Sequence, residues 1–235
     1  MILHGSEAGL CGPGGDPPPI FPSLDRERVE RICRAALAEP DRNAALRFLN
    51  AALPEADSPV PGMRNEGLFA THQLHKGVPH TGNWAGAAKQ AAALVDLRGE
   101  ELVQGLGYSV EHTAGPFSIL RADGQRRALA VFLQRDEAPD LPNSRFTHLS
   151  PVSYALAKAD QENLEWVIVT AGAAVRLHPV GIDVGTGRRG RTETFFELRL
   201  DLLQPSDAAY LWLTLSAEAL EKGGSVAGLL LDSAQ

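Results

Sequence analysis

The chain has little of what defines several protein classes. It contains two cysteines among 235 residues. Cys11 lies in a glycine-rich tail and Cys33 on the apolar face of a predicted helix, so a disulfide scaffold or a thiolate metal site is not expected. No apolar run approaches the roughly 20 residues that span a bilayer, and the N-terminus lacks the basic start of a secretory signal. We expect a cytoplasmic protein with no membrane partner.

Basic charge is also scarce, since the formal net charge is -7. Proteins that bind DNA non-specifically usually carry a basic excess, because they neutralise phosphates. Contact with nucleic acid would therefore need a local patch. The densest positive charge is Arg188, Arg189 and Arg191 on a glycine-rich turn, where guanidinium groups could fork onto phosphates. The alternative is a solvated loop or an internal ion-pair site facing Glu193 or Glu197.

Composition and periodicity predict an α/β protein with a helical N-terminal head followed by a mixed-sheet domain. Residues 1–22 are rich in glycine and proline and are expected to be a disordered tail. The helical head covers 23–106, with Ile32, Cys33 and Leu37 on one apolar stripe and further helices near 41–53, 65–76 and 83–106. The α/β module covers 107–222, and 223–235 begins a helical connector.

Strand signals follow residue 107. Two apolar runs, Phe117 to Leu120 and Ala128 to Leu133, flank Asp123-Gly124 and predict a hairpin. Ser150-Pro151 predicts a helix start. Further strands are predicted at 166–170, 174–177 and 196–202, and a helix at 206–221.

The hairpin suggests a test for nuclease chemistry. A metal-dependent nuclease needs an acid on one strand and an acid-x-Lys on the next. The candidate acids are Asp123 with Asp136 or Glu137, and magnesium would be a cofactor only if they act. However, Asp123 stands in a turn that needs it structurally, and no lysine occurs between Lys89 and Lys158.

Several short motifs, in order, resemble one family. They are Glu66 to Leu74 (EGLFATHQL), Ser150-Pro151-Val152, Asn163 to Gly172, Val175-Arg176-Leu177, Arg188 to Leu200 and Tyr210 to Leu220. Together these are similar to the N-terminal region of type IIG-like fused restriction–modification enzymes and phage-defence adenine-specific DNA methyltransferases.

This resemblance implies an α/β fold, here a degenerate PD-(D/E)xK nuclease-like one, because the acid-x-Lys has no counterpart. It implies no cofactor in this chain and S-adenosylmethionine in a downstream methyltransferase domain. The implied partners are DNA and that domain, or subunits of a defence complex. Arg176 joins Arg188, Arg189 and Arg191 as a candidate for phosphate contact.

Three functions therefore stand as hypotheses. The first is a non-methylating module that positions DNA or partner domains for an adenine methyltransferase. The second is an active magnesium-dependent endonuclease, and the third is a protein–protein adaptor of a defence complex.

Overall fold

The computed structural model describes residues 26–39, 41–52, 60–186 and 190–233. Its α-helices are α1 (Arg26–Leu37), α2 (Arg42–Ala52), α3 (Trp84–Ala91), α4 (Gly99–Gly105), α5 (Pro151–Gln161), α6 (Ala209–Leu215) and α7 (Ser225–Ser233). Its strands are β1 (Met63–Glu66), β2 (Ser109–His112), β3 (Ser118–Ala122), β4 (Gln125–Leu133), β5 (Trp166–Ala171), β6 (Ala174–Pro179) and β7 (Phe195–Arg199). A π-helix, Gln73–Gly77, and two 3-10 turns, Val78–His80 and Ser144–Phe146, complete the described elements.

The strands form one mixed sheet in the order β1-β7-β6-β5-β4-β3-β2. Strands β2, β3 and β4 form an antiparallel meander, and β5 pairs in parallel with β4 after the crossover through α5. Strands β6, β7 and β1 continue the sheet by antiparallel pairing. The mixed α/β class predicted from the sequence is confirmed.

Side chains of alternating strand positions separate two cores. The larger core lies between one face of the sheet and α3, α6 and α7, and includes Leu120, Ile168, Leu177 and Phe196. The smaller core lies under α5 on the opposite face. Ser150 accepts a hydrogen bond from Ser153 N (3.2 Å) and Pro151 occupies the first turn of α5, so the predicted start of this helix is confirmed.

The helix predicted over 65–76 is wrong in its first half. Residues 63–66 form an edge strand, β1, which pairs with β7 from within the segment predicted as the helical head. The Asn65 side chain closes the following turn, because it accepts from Phe69 N (3.0 Å) and donates to Phe69 O (2.7 Å). Gly67 takes a φ of 69°, which a glycine adopts readily.

The long helix predicted over 83–106 is also corrected, because α3 and α4 are separate. Arg98 donates from Nη1 to the carbonyls of Val95 (2.6 Å) and Leu97 (2.7 Å). Gly99 then has a φ of 53°, which continuous helix does not allow. The predicted apolar stripe of α1 is correct only in part, because Ile32 is buried whereas Cys33 and Leu37 are exposed.

The expected tail, residues 1–22, lies outside the described residues. Within the described part of the chain, no helix has the length and apolar character needed to cross a membrane.

Candidate functional site

Helix α5 covers one face of the sheet, but only over β4 and β5. A charged patch occupies another part of the same face. Val175 and Leu177 of β6 point into the larger core, so Arg176 and His178 project from the opposite face. The same alternation places Phe195, Glu197 and Arg199 of β7, and Arg64 and Glu66 of β1, on this face. We call the set Arg64, Asp140, Arg176, His178, Phe195 and Glu197 the arginine cluster.

Arg176 is the centre of the arginine cluster. Its Nε donates to Glu197 Oε2 (2.8 Å), and its Nη1 donates to Asp140 Oδ1 (2.9 Å) and Oδ2 (3.1 Å). Its Cζ also lies 4.0 Å from the centroid of the Phe195 ring, as a cation–π contact. A second cation, Arg64, is 3.6 Å from Glu197 and 5.3 Å from the Phe195 centroid.

This geometry bears on the predicted role of Arg176 in phosphate contact. The residue is 4% exposed. Burial alone would lower its pKa, but the carboxylates of Glu197 and Asp140 outweigh burial and raise it. A phosphate could reach the guanidinium only by displacing partners that already neutralise it. Arg176 therefore fits an internal structural role better than the phosphate contact expected from the sequence.

His178 is the second buried polar group of the cluster, with 0% exposure. Its Nδ1 lies 3.0 Å from the carbonyl oxygen of Thr194, so Nδ1 carries the proton of the neutral ring. Its Nε2 is buried and has no hydrogen-bond partner among the residues that the structure describes. Burial, reinforced by the charge of Arg176, lowers the pKa of His178 to about 3.

Two open cavities flank the arginine cluster. One, of about 560 Å³, extends toward α1 and α2 and includes Arg135, Arg199 and Asp201 in its lining. The other, of about 500 Å³, is bordered by Arg64, Asp140 and the hydroxyl residues Ser150, Ser153 and Thr192. The first lining contains four carboxylates and three cations and is nearly balanced, whereas the second contains three carboxylates and one cation, so the second cavity has a surplus of negative charge.

The structure does not bring the predicted catalytic acids together. Asp123 is exposed in the β3–β4 turn at a φ of 51°, whereas Asp136 and Glu137 follow the other end of β4. Because β4 has nine residues and a strand rises about 3.3 Å per residue, the two ends are roughly 26 Å apart. Asp136 is exposed.

Glu137 has a local structural role at the end of β4. Its side chain is 3% exposed, pairs with Arg145 and accepts a hydrogen bond from Gln134 N (2.8 Å). Arg145 also donates to the carbonyl of Phe132 (3.2 Å). This candidate catalytic acid therefore helps to hold the segment that follows the strand.

Of the predicted basic loop, Arg191 is described, and Arg188 and Arg189 lie outside the described residues. Arg191 donates from Nη1 to the carbonyl of Val180 (3.3 Å) and lies 3.9 Å from Asp160 Oδ1. With its side chain 35% exposed, it remains at the surface. The predicted alternative partner Glu197 instead contacts Arg176 and Arg64.

The described residues contain no group of three or more histidine, cysteine or acidic side chains placed to hold a metal ion. Sequence reasoning missed Arg64, His178 and Phe195 as members of one cluster. Charged residues recur at alternate positions of otherwise apolar strands, in Arg176-x-His178 and Glu197-x-Arg199. That pattern is the signal that could have identified the polar part of this face.

Comparison of the chain with protein-family models, curated proteins and solved structures found no match.

Proposed function

We propose that this chain is a non-cleaving, nuclease-derived module that binds the DNA backbone and positions DNA or partner domains for an adenine-specific methyltransferase of a restriction–modification or phage-defence system. The observation that carries the proposal is the β3–β4 hairpin. A metal-dependent nuclease would place its metal-binding acids on two adjacent strands such as these. Neither β3 nor β4 contains an aspartate or a glutamate.

The arrangement of elements supports a nuclease-derived origin. The chain runs α4, the antiparallel meander β2-β3-β4, the crossover helix α5 and then β5 parallel to β4. This order suits the degenerate nuclease-like fold that the sequence resemblance implies.

The composition of the hairpin argues against cleavage. Strand β3 reads SILRA and strand β4 reads QRRALAVFL, so neither a carboxylate nor a lysine lies on either strand. Two carboxylate oxygens and a water-orienting lysine would be needed to hold and use a divalent cation there. The endonuclease alternative therefore has no acid pair within the hairpin.

DNA contact is assigned to the loop that contains Arg188, Arg189 and Arg191. The experiment measures binding of a fluorescein-labelled DNA duplex by anisotropy over a series of salt concentrations. Replacing the three arginines with glutamine should weaken binding and reduce the slope of log K against log salt by up to about 2.7, at about 0.9 per lost phosphate contact. A matched control replaces the exposed residues Arg34, Arg42 and Arg126 and should leave the slope nearly unchanged.

Two results would contradict the proposal. Equal slopes for both triple variants would remove the loop from the interface, and absence of salt-dependent binding by the wild-type chain would favour the adaptor hypothesis. Magnesium-dependent nicking of supercoiled plasmid that disappears in Asp123→Ala would instead support the endonuclease.

A further inference from the structure

We infer that the surface formed by the π-helix Gln73–Gly77, the turn Val78–His80 and α3 is a second binding site for the nucleic-acid phosphate backbone. We call it the lysine surface and define it by His72, Lys76, His80 and Lys89. The inference rests on the proposed function, because it extends the contact beyond the arginine loop.

The first observation is the distribution of charge. Residues 67–95 contain no aspartate or glutamate, so all 29 acids of the chain lie elsewhere. The same segment contains two of the four lysines, Lys76 and Lys89. The chain as a whole has a net charge of -7. This segment, by contrast, has no carboxylate of its own that would repel a polyanion.

The second observation is that these residues form one exposed surface. Beneath it, Tyr210 of α6 donates from its hydroxyl to the carbonyl of Leu74 (2.8 Å). The Tyr210 ring also makes an edge contact with Trp84 of α3 at 4.9 Å between centroids. The π-helix contacts the Val78–His80 turn and this turn contacts α3, so the three elements are contiguous. The outward residues are exposed and polar or small: His72, Lys76, His80, Thr81, Asn83, Ala85, Gly86 and Lys89.

Neighbouring elements add two acids, Asp207 and Asp232. Burial and, secondarily, the charge of Asp207 raise the pKa of the Tyr210 hydroxyl, so Asp207 lies near the tyrosine beneath the surface. Asp232 of α7 is exposed, and its carbonyl accepts a 3.5 Å hydrogen bond from Gln73 Nε2. No ion pair to Lys76 or Lys89 occurs within the part of the chain that the structure describes. Both ammonium groups are therefore available to an external phosphate, which they can bind as point charges.

The third observation is continuity with the arginine loop. Thr186 donates from its backbone nitrogen to the carbonyl of Gly67 (2.7 Å), the first residue of the acid-free segment. Gly185 approaches so closely that an added Cβ would lie 2.4 Å from Gly67 O. Its φ of 114° also requires glycine. The described start of the arginine loop is thus fixed against Gly67, five residues before His72 of the lysine surface.

The test compares two double variants of the full chain that make the same change in charge. K76Q/K89Q removes the lysines of the surface, and K158Q/K222Q removes the other two lysines of the chain. Binding of a labelled 20-base-pair duplex is measured by anisotropy over a range of salt concentrations. We expect K76Q/K89Q to reduce the salt slope by up to about 1.8 and K158Q/K222Q to reduce it by less than about 0.5. A further variant, Asp232→Asn, should increase affinity by a few-fold.

The possible failures are distinguishable. If the wild type binds with a salt slope that R188Q/R189Q/R191Q reduces but K76Q/K89Q does not, the lysine surface is overturned and the proposed function survives. If the wild type shows no salt-dependent binding to duplex DNA, both are overturned. All four lysine side chains are partly buried or exposed, so we expect the variants to fold. Thermal unfolding of each variant verifies this.

Discussion

Replacing Arg176 with methionine would test whether the arginine cluster is a structural device. The substitution leaves Glu197, which is 7% exposed, without its closest cation. Breaking a buried ion pair by removing one partner costs roughly 3–5 kcal/mol, because the remaining charge stays buried. Arg64 remains 3.6 Å from Glu197, so we expect the lower end, about 3 kcal/mol. For a chain of this size that loss corresponds to a Tm about 6–12 °C lower.

The assay is thermal and urea unfolding of R176M, R176M/E197L and Asp140→Asn. The double variant removes the stranded carboxylate and should recover more than half of the stability lost in R176M. Asp140→Asn should cost less than about 1 kcal/mol, because its side chain is 60% exposed and solvent screens the pair. If adding E197L to R176M lowers the free energy of unfolding further, as an independent destabilising substitution would, the two residues are not coupled and the reasoning fails.

Three further predictions concern single residues. Because the pKa of His178 is about 3 when folded and about 6.5 when unfolded, the unfolded state binds a proton first as pH falls. The wild type should therefore lose stability between pH 6.5 and 3, by about 2 kcal/mol at pH 5, and urea unfolding of His178→Gln should lack this component. Ser150→Ala should cost about 1 kcal/mol through loss of the helix cap; an unchanged Tm would contradict it. Asp123→Ala should cost about 1 kcal/mol because alanine tolerates the φ of 51° poorly, whereas Asp123→Gly should not, as thermal unfolding would show.

Much of the secondary structure after residue 107 was predictable, because its signals are local. The Asp123-Gly124 turn, the Ser150-Pro151 helix start and the apolar run at β5 each act within a few residues. The corrected helices were misjudged for local reasons too. Periodicity suggested helix over 65–76, but the Asn65 side-chain hydrogen bonds to Phe69 and the positive φ of Gly67 end a strand there.

The candidate site was predictable only in its residue types. Arg176, Asp136 and Glu137 were predicted as site residues because they are charged and lie near predicted strands. Whether such a residue is structural or part of a site depends on which strand ends lie next to each other in the sheet. The order of charged residues along the sequence does not reveal that arrangement. Asp123 and Asp136 are only 13 residues apart in sequence, yet a nine-residue strand separates them.

Composition and local pattern were sufficient to establish the mixed α/β class, the hairpin, the capped helix α5 and the acid-free segment that precedes Asp96. Those properties depend on the backbone preferences and charges of individual residues, which do not change with the tertiary structure. Long-range packing established the rest: the pairing of β1 with β7 between residues 129 to 135 positions apart, the burial of Arg176 between Glu197 and Asp140, and the contact of Thr186 with Gly67. Such contacts form when apolar surface is buried and backbone groups must find partners in a particular sheet order, so they arise from the fold as a whole.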